Sequence, residues 1–183
     1  MRYAQIRSMD ISNGEGVGIS LFVQGCDRHC FNCFNSETWD FNGGKEWTEE
    51  AKNKFMELID RPYIRRISVL GGEPLAEQNL DEVLSLIKKI RTSFPDKTIW
   101  LYTGYDFDLL NSKYNEYKYT PFTENADVWL TRWEIISNVD VMVDGEYIDE
   151  QKDLTLKWRG SKNQHVINVK ESIKNNKIIL YCD

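Results

Sequence analysis

Three cysteines stand in one short run, Gly25-Cys26-Asp27-Arg28-His29-Cys30-Phe31-Asn32-Cys33, and the only other cysteine is Cys182. Three thiolates on one loop can hold three corners of an iron–sulfur cube and leave the fourth iron without a protein ligand. An iron left open can bind a small molecule directly; a fully ligated cluster only passes electrons. A disulfide scaffold fits poorly, because 183 residues at 41% hydrophobic content can build a core without staples. A structural zinc site is the rival: Cys26, Cys30, Cys33 and His29 make a Cys3His set. Such sites usually join two ligand groups from separate parts of the chain, and no second group is present. His29 is also adjacent to Cys30, which makes joint ligation of one ion awkward.

The pattern around the cysteines alternates between strand and helix. Residues 19–25, Ile-Ser-Leu-Phe-Val-Gln-Gly, read as a buried strand that runs into the cysteine loop. Thr48 can cap a helix reaching about Asp60, with Pro62 beyond it. A strand over 66–70 ends in Gly71-Gly72-Glu73-Pro74. Leu80, Val83, Leu84, Ile87, Ile90 and Phe94 mark one helix face, which Pro95 closes. Thr98 to Tyr102 is a third strand, followed by Thr103-Gly104-Tyr105. A partly helical stretch reaches Asn138; Val139–Val143 is a fourth strand, and Lys177–Tyr181 a further candidate. This alternation predicts one α/β domain over residues 1–183, with a mostly parallel sheet and helices outside it. In such a sheet, motifs that each follow a strand gather at one edge.

Two motifs in this order carry a resemblance. A CxxxCxxC loop after one apolar strand and Gly-Gly-Glu-Pro after the next is the arrangement of the radical S-adenosylmethionine superfamily. Asn13-Gly14-Glu15-Gly16, Cys33-Phe34-Asn35-Ser36-Glu37-Thr38-Trp39, Val141-Met142-Val143-Asp144-Gly145 and Trp158-Arg159-Gly160-Ser161-Lys162-Asn163-Gln164 narrow it. Together they resemble the glycyl-radical activases of anaerobic ribonucleotide reductases, from about residue 3 to about residue 169. The chain departs in having Asn32 where an aromatic often precedes the third cysteine. His165 stands where Arg commonly follows Asn-Gln, and the segment 106–138 is longer than expected.

The resemblance implies a partial (β/α) barrel. It implies Cys26, Cys30 and Cys33 as ligands of a 4Fe–4S cluster, with S-adenosyl-L-methionine on the open iron. Asn32, Cys33, Phe34, Gly71, Gly72 and Glu73 would border that cofactor: the glycines by letting backbone approach it, Glu73 by accepting from its ammonium. Tyr102, Thr103, Asp144 and the Arg159–Gln164 run are further candidates. The implied reaction is cleavage of the cofactor by an electron from a flavodoxin or ferredoxin. The resulting 5′-deoxyadenosyl radical takes hydrogen from a glycine of the large reductase subunit, so no catalytic side chain is required. Other targets in the class are pyruvate formate-lyase or a small molecule, as in deazaguanine synthesis; outside it stands a zinc-stabilised binding protein. Cys182 cannot support an auxiliary cluster alone. A net charge of −6 argues against a nucleic-acid groove. The absence of a span-length apolar run, and of an apolar stretch in residues 1–18, argues for a cytoplasmic protein without membrane contact.

Overall fold

The computed structural model describes residues 1–182. In chain order the elements are β1 (Arg2–Asp10), β2 (Gly18–Gln24), β3 (Lys45–Glu46), α1 (Glu49–Ile59), β4 (Arg66–Gly71), α2 (Leu80–Ser93) and β5 (Thr98–Tyr102). They continue with α3 (Phe107–Tyr117), α4 (Ala126–Ser137), β6 (Val141–Asp144), β7 (His165–Asn168), α5 (Val169–Asn175) and β8 (Leu180–Cys182). One sheet takes the order β3-β1-β2-β4-β5-β6-β7-β8.

The expected mostly parallel sheet is corrected to a mixed one. Three ladders, β2–β4, β4–β5 and β5–β6, are parallel. The other four are antiparallel. The parallel middle comes from helical crossovers, as the periodicity implied. On one flank β1 turns back through residues 11–17 onto β2; on the other, β7 returns antiparallel to β6 after the long loop 145–164. Two-residue periodicity hardly marks either flank, because β1 is partly exposed along most of its length and β7 has four residues.

Within the parallel strands the pleat separates two environments. Ile19, Leu21, Val23, Ile67, Val69, Ile99, Leu101 and Met142 face the helices and join Phe55, Ile59, Val83, Ile87, Ile90, Leu110 and Ile136 in the main core. The alternate positions Trp100, Val141, Val143 and Val166 form a smaller cluster on the other face, with Tyr102 and Trp158 against it. Thr48 caps α1 as expected, its hydroxyl accepting from the Ala51 N–H at 3.3 Å. The stretch before Asn138 resolves into α3 and α4, joined by a loop with the exposed aromatics Tyr119 and Phe122.

The fully buried Arg66 fastens the β1–β2 turn to the sheet. Its Nη2 donates to the Asp10 carbonyl at 2.8 Å and the Asp10 carboxylate at 3.2 Å. Its Nη1 donates to the Asn13 carbonyl and the Ser68 hydroxyl. Gly14, at φ +127°, lies where a Cβ would come 2.8 Å from the Trp100 ring, so the turn closes only with glycine. Burial opposes the charge of Asp10, but hydrogen bonds from Asn13, Ser12 and Arg66 outweigh it and hold its pKa below the ordinary value. Asp10→Ala strands a buried guanidinium and should cost about 3–5 kcal/mol, read as a lower urea midpoint near neutral pH. A lowered folded-state pKa gives stability that is complete above the unfolded value of about 4 and is lost as pH falls through the folded value. The gap between wild type and variant should therefore narrow on acidification.

Candidate metal centre and its cavity

The cysteine loop follows β2, Gly72-Glu73-Pro74 follows β4, Thr103-Gly104-Tyr105 follows β5 and Gly145-Glu146 follows β6. These strands run parallel, so all four loops meet at one edge. Backbone bonds seat the cysteine loop: Gly25 N–H to the Thr38 carbonyl at 2.8 Å, and Cys26 N–H to the Trp39 carbonyl at 3.0 Å. His29 and Asn32 take left-handed backbone angles, φ +49° and +56°. Those bends double the loop back on itself, and a Cys33 N–H to Cys30 carbonyl bond at 3.1 Å closes the turn.

Cys26, Cys30 and Cys33, none of them in a disulfide, line one cavity of about 550 Å³ together with Gly71, Gly72 and Glu73. The Asn35 N–H lies 3.4 Å from the Cys33 sulfur, placed to bond a thiolate. Burial pushes the Cys26 thiol up to about 11 and raises Cys30 as well, so their thiolate forms call for a compensating cation. Three thiols on one tight loop facing a common space are chemically suited to a cluster. No three His, Cys, Asp or Glu side chains among the described residues converge where one ion could sit. The Cys3His zinc reading asks for that convergence; His29 instead stacks on Trp39, ring centroids 4.6 Å apart.

The Gly-Gly-Glu-Pro loop proves to be built against its own chain. A Cβ on Gly72 would overlap the Gly25 carbonyl oxygen, and one on Gly71, at φ +107°, would come 2.8 Å from the Phe22 backbone. Glu73 is buried, and its carboxylate accepts from the Thr103 hydroxyl at 2.7 Å, the Gly104 N–H at 2.8 Å and the Leu75 N–H at 2.9 Å. Burial nevertheless raises its pKa.

Other expected residues divide. Phe34, Tyr102, Thr103, Arg159, Gly160 and Gln164 line the cavity. Asn32 is exposed, does not line it, and donates to the Asp149 carboxylate at 2.9 Å. Asp144 is buried behind the wall, accepting from the Phe107 and His165 N–H groups at 3.0 and 2.9 Å. Cys182 lies on β8 and packs against the smaller cluster. Arg28, inside the cysteine loop, carries no sequence signal for its role. It pairs with Glu146 at 2.6 Å and lies 3.9 Å from the Tyr105 ring centroid. Burial opposes its charge, yet Glu146 and Glu73 together raise its pKa. Arg7, Ser12 and Asn13 also reach the cavity. Asn13 belongs to the Asn-Gly-Glu-Gly motif, whereas nothing in the spacing of residues 2–10 marks β1 as a strand.

Comparison with known proteins places the chain in a family. The model of the 4Fe-4S single cluster domain matches residues 12–167. A Salmonella typhi protein named anaerobic ribonucleoside-triphosphate reductase-activating protein is 36% identical over 91% of this chain and 97% of its own. Proteins of the same name from Escherichia coli (strain K12) and Enterobacteria phage T4 are 35% and 33% identical over 91% of this chain, and over 97% and 93% of their own. The chain belongs to the family of anaerobic ribonucleoside-triphosphate reductase-activating proteins. No helix among the described residues is long and apolar enough to cross a membrane.

Gly72→Ala should displace Gly25 and with it the cysteine loop. The expected result is loss of visible absorption after anaerobic reconstitution with iron and sulfide, not merely weaker cofactor binding to an intact cluster. Glu73→Gln turns an amide donor toward groups that already donate, and should lower stability by about 1–3 kcal/mol in urea unfolding.

Proposed function

We propose that this protein activates an anaerobic ribonucleoside-triphosphate reductase by generating a glycyl radical on it. The observation that carries this reading is the meeting of Cys26, Cys30 and Cys33 with Gly71, Gly72 and Glu73 on one cavity, in a chain whose relatives bear that name. Cys26, Cys30 and Cys33 would hold three irons of a 4Fe–4S cluster and leave one for the amino and carboxylate groups of S-adenosyl-L-methionine. Bound there, the pair supplies a one-electron cleavage that yields an adenosyl radical able to take hydrogen from glycine. The rest is positioning. Gly71, Gly72 and Glu73 would wall the space for the cofactor, with Thr103 and Gly104 fixed by Glu73. Phe34, 5.0 Å from the Tyr147 ring, offers an apolar surface to the adenosyl group. Asn32 serves by holding the loop to Asp149 and not by stacking on the base.

The four parallel strands β2, β4, β5 and β6 fit a reduced partial barrel of the radical S-adenosylmethionine type, flanked by antiparallel strands. The reducing equivalent would come from a flavodoxin or ferredoxin in the cytoplasm.

Single replacements of Cys26, Cys30 or Cys33 by Ala should abolish the reconstituted cluster, while Cys182→Ala retains it. Reduced protein with S-adenosyl-L-methionine should give the cognate reductase a doublet in electron spin resonance, from the remaining α-hydrogen. Deuterated glycine should collapse the doublet and pass deuterium into 5′-deoxyadenosine. A doublet on pyruvate formate-lyase but never on the reductase would move the target and keep the activase class. Cofactor cleavage with no radical on either protein would favour a small-molecule substrate.

A further inference from the structure

The cysteines and the Gly-Gly-Glu-Pro loop occupy only one end of the cavity. Another part of its wall comes from the loop over residues 152–161, through Leu154, Leu156, Trp158 and Arg159. This loop is pinned at its base. Lys152 and Ser161 form an isolated antiparallel bridge, and the Asp153 N–H donates to the Gly160 carbonyl at 3.2 Å. Asp153 also holds Thr155, accepting from its N–H at 3.0 Å and its hydroxyl at 2.6 Å. Trp158 takes φ +58°, an uncommon backbone for a bulky residue, while its ring lies edge-on to Trp100 with centroids 5.0 Å apart. The loop is therefore a shaped element, yet Leu154 at its tip is 79% exposed. Leu156 beside it is partly buried in the same wall. Across the cavity stand Arg7 and Ser12, and Ile11, next to Ser12, is 73% exposed.

Two apolar tips flanking a cavity that leads to the cysteines suit a protein segment better than a small polar metabolite, which has no use for exposed leucine. We propose that the 152–161 loop receives the glycine-bearing segment of the reductase as an extended peptide. Apolar side chains flanking the target glycine would lie on Leu154 and Leu156. Backbone carbonyls would face the guanidinium of Arg159, whose Nε is buried without a partner, and that of Arg7. The glycine itself, lacking a side chain, is the residue whose backbone can pass deepest between these walls. This proposal rests on the functional reading above.

The test compares Leu154→Ser/Leu156→Ser with a control pair far along the sequence, Tyr119→Ser/Phe122→Ser, where the side chains are 83% and 100% exposed. The probe is the full-length cognate reductase, titrated calorimetrically into cluster-loaded protein. The leucine pair should weaken binding at least tenfold and raise in proportion the reductase concentration for half-maximal radical, with the visible cluster spectrum of the wild type. The control pair should match wild type. If the leucine pair fails to fold, the single Leu154→Ser at the exposed tip carries the same test. Binding within twofold of wild type overturns the assignment, as does a defect in the control pair alone. A changed oligomeric state with intact reductase binding would also overturn it, making the loop a contact between copies of this chain. In each of these the wild type still activates the reductase. A wild type that neither binds nor activates it overturns the functional reading as well.

Discussion

One buried carboxylate keeps the motif-bearing edge of the sheet together. Glu73 follows β4, yet its oxygens accept from Thr103 and Gly104 beyond β5, and its own N–H donates to the Gly25 carbonyl beyond β2 at 2.8 Å. Asn79 supports the same junction, its side-chain amide donating to the Gln24 carbonyl at 3.2 Å and the Glu73 carbonyl at 3.0 Å. Strand ends usually splay, because beyond the last ladder bond each chain goes its own way. Here three of them are tied by bonds to a single residue and its neighbour. Hydrogen bonds in a buried, low-dielectric setting are electrostatically stronger than the same bonds in water. The wall facing the cysteines is consequently fixed before anything binds, which is what a site that must hold reactive groups in register requires.

A second tie brings in the fourth strand. Two guanidinium groups lie by the Tyr105 ring: Arg28 from the cysteine loop at 3.9 Å and Arg132 from α4 at 4.6 Å from its centroid. Arg132 also donates to the Leu75 carbonyl at 2.9 Å, and Arg28 reaches Glu146 after β6. Cation–π contacts of this kind gain from partial burial. The cysteine loop, whose own backbone bonds are few, is thereby tied to the loops after β4, β5 and β6. An Arg at position 28 thus does structural work that Lys, without a planar face to lay on Tyr105, would perform poorly.

What could be read in the sequence follows from periodicity and spacing. The parallel strands β2, β4 and β5, the Thr48 cap and α2 were all legible, because each carries a buried apolar face or a capping residue with a local signature. The cysteine triplet and Gly-Gly-Glu-Pro were legible as a pair, since both end apolar strands. The antiparallel flanks were less so: the Lys177–Tyr181 candidate overlaps β8, but β1 is polar on much of its surface, and β7 is shorter than the window over which alternation can be recognised. Nor could the role of Gly72 be read. A glycine that spares room for a ligand and one that spares room for the Gly25 carbonyl look alike in sequence, and only the close approach of the chain after β2 to the chain after β4 distinguishes them. Arg28 was hidden for a similar reason, as its partners lie far along the chain at 105 and 146.

The two faces of the sheet divide the work between stability and chemistry. Aliphatic residues on the helix side form one continuous core. The other face carries Ser20, Phe22, Ser68, Leu70, Tyr102 and Val143, a mixture too polar to support helices and too apolar to be left in water. That face is covered instead by loops: the cysteine loop at one edge, the Asp10–Asn13 turn at the other and the 152–161 loop between β6 and β7. Antiparallel return of β7 makes the last of these possible, because a helical crossover after β6 would carry the chain to the core side. The mixed topology that departs from the periodicity-based expectation is therefore the same feature that leaves the cavity walled by loops and open to a partner.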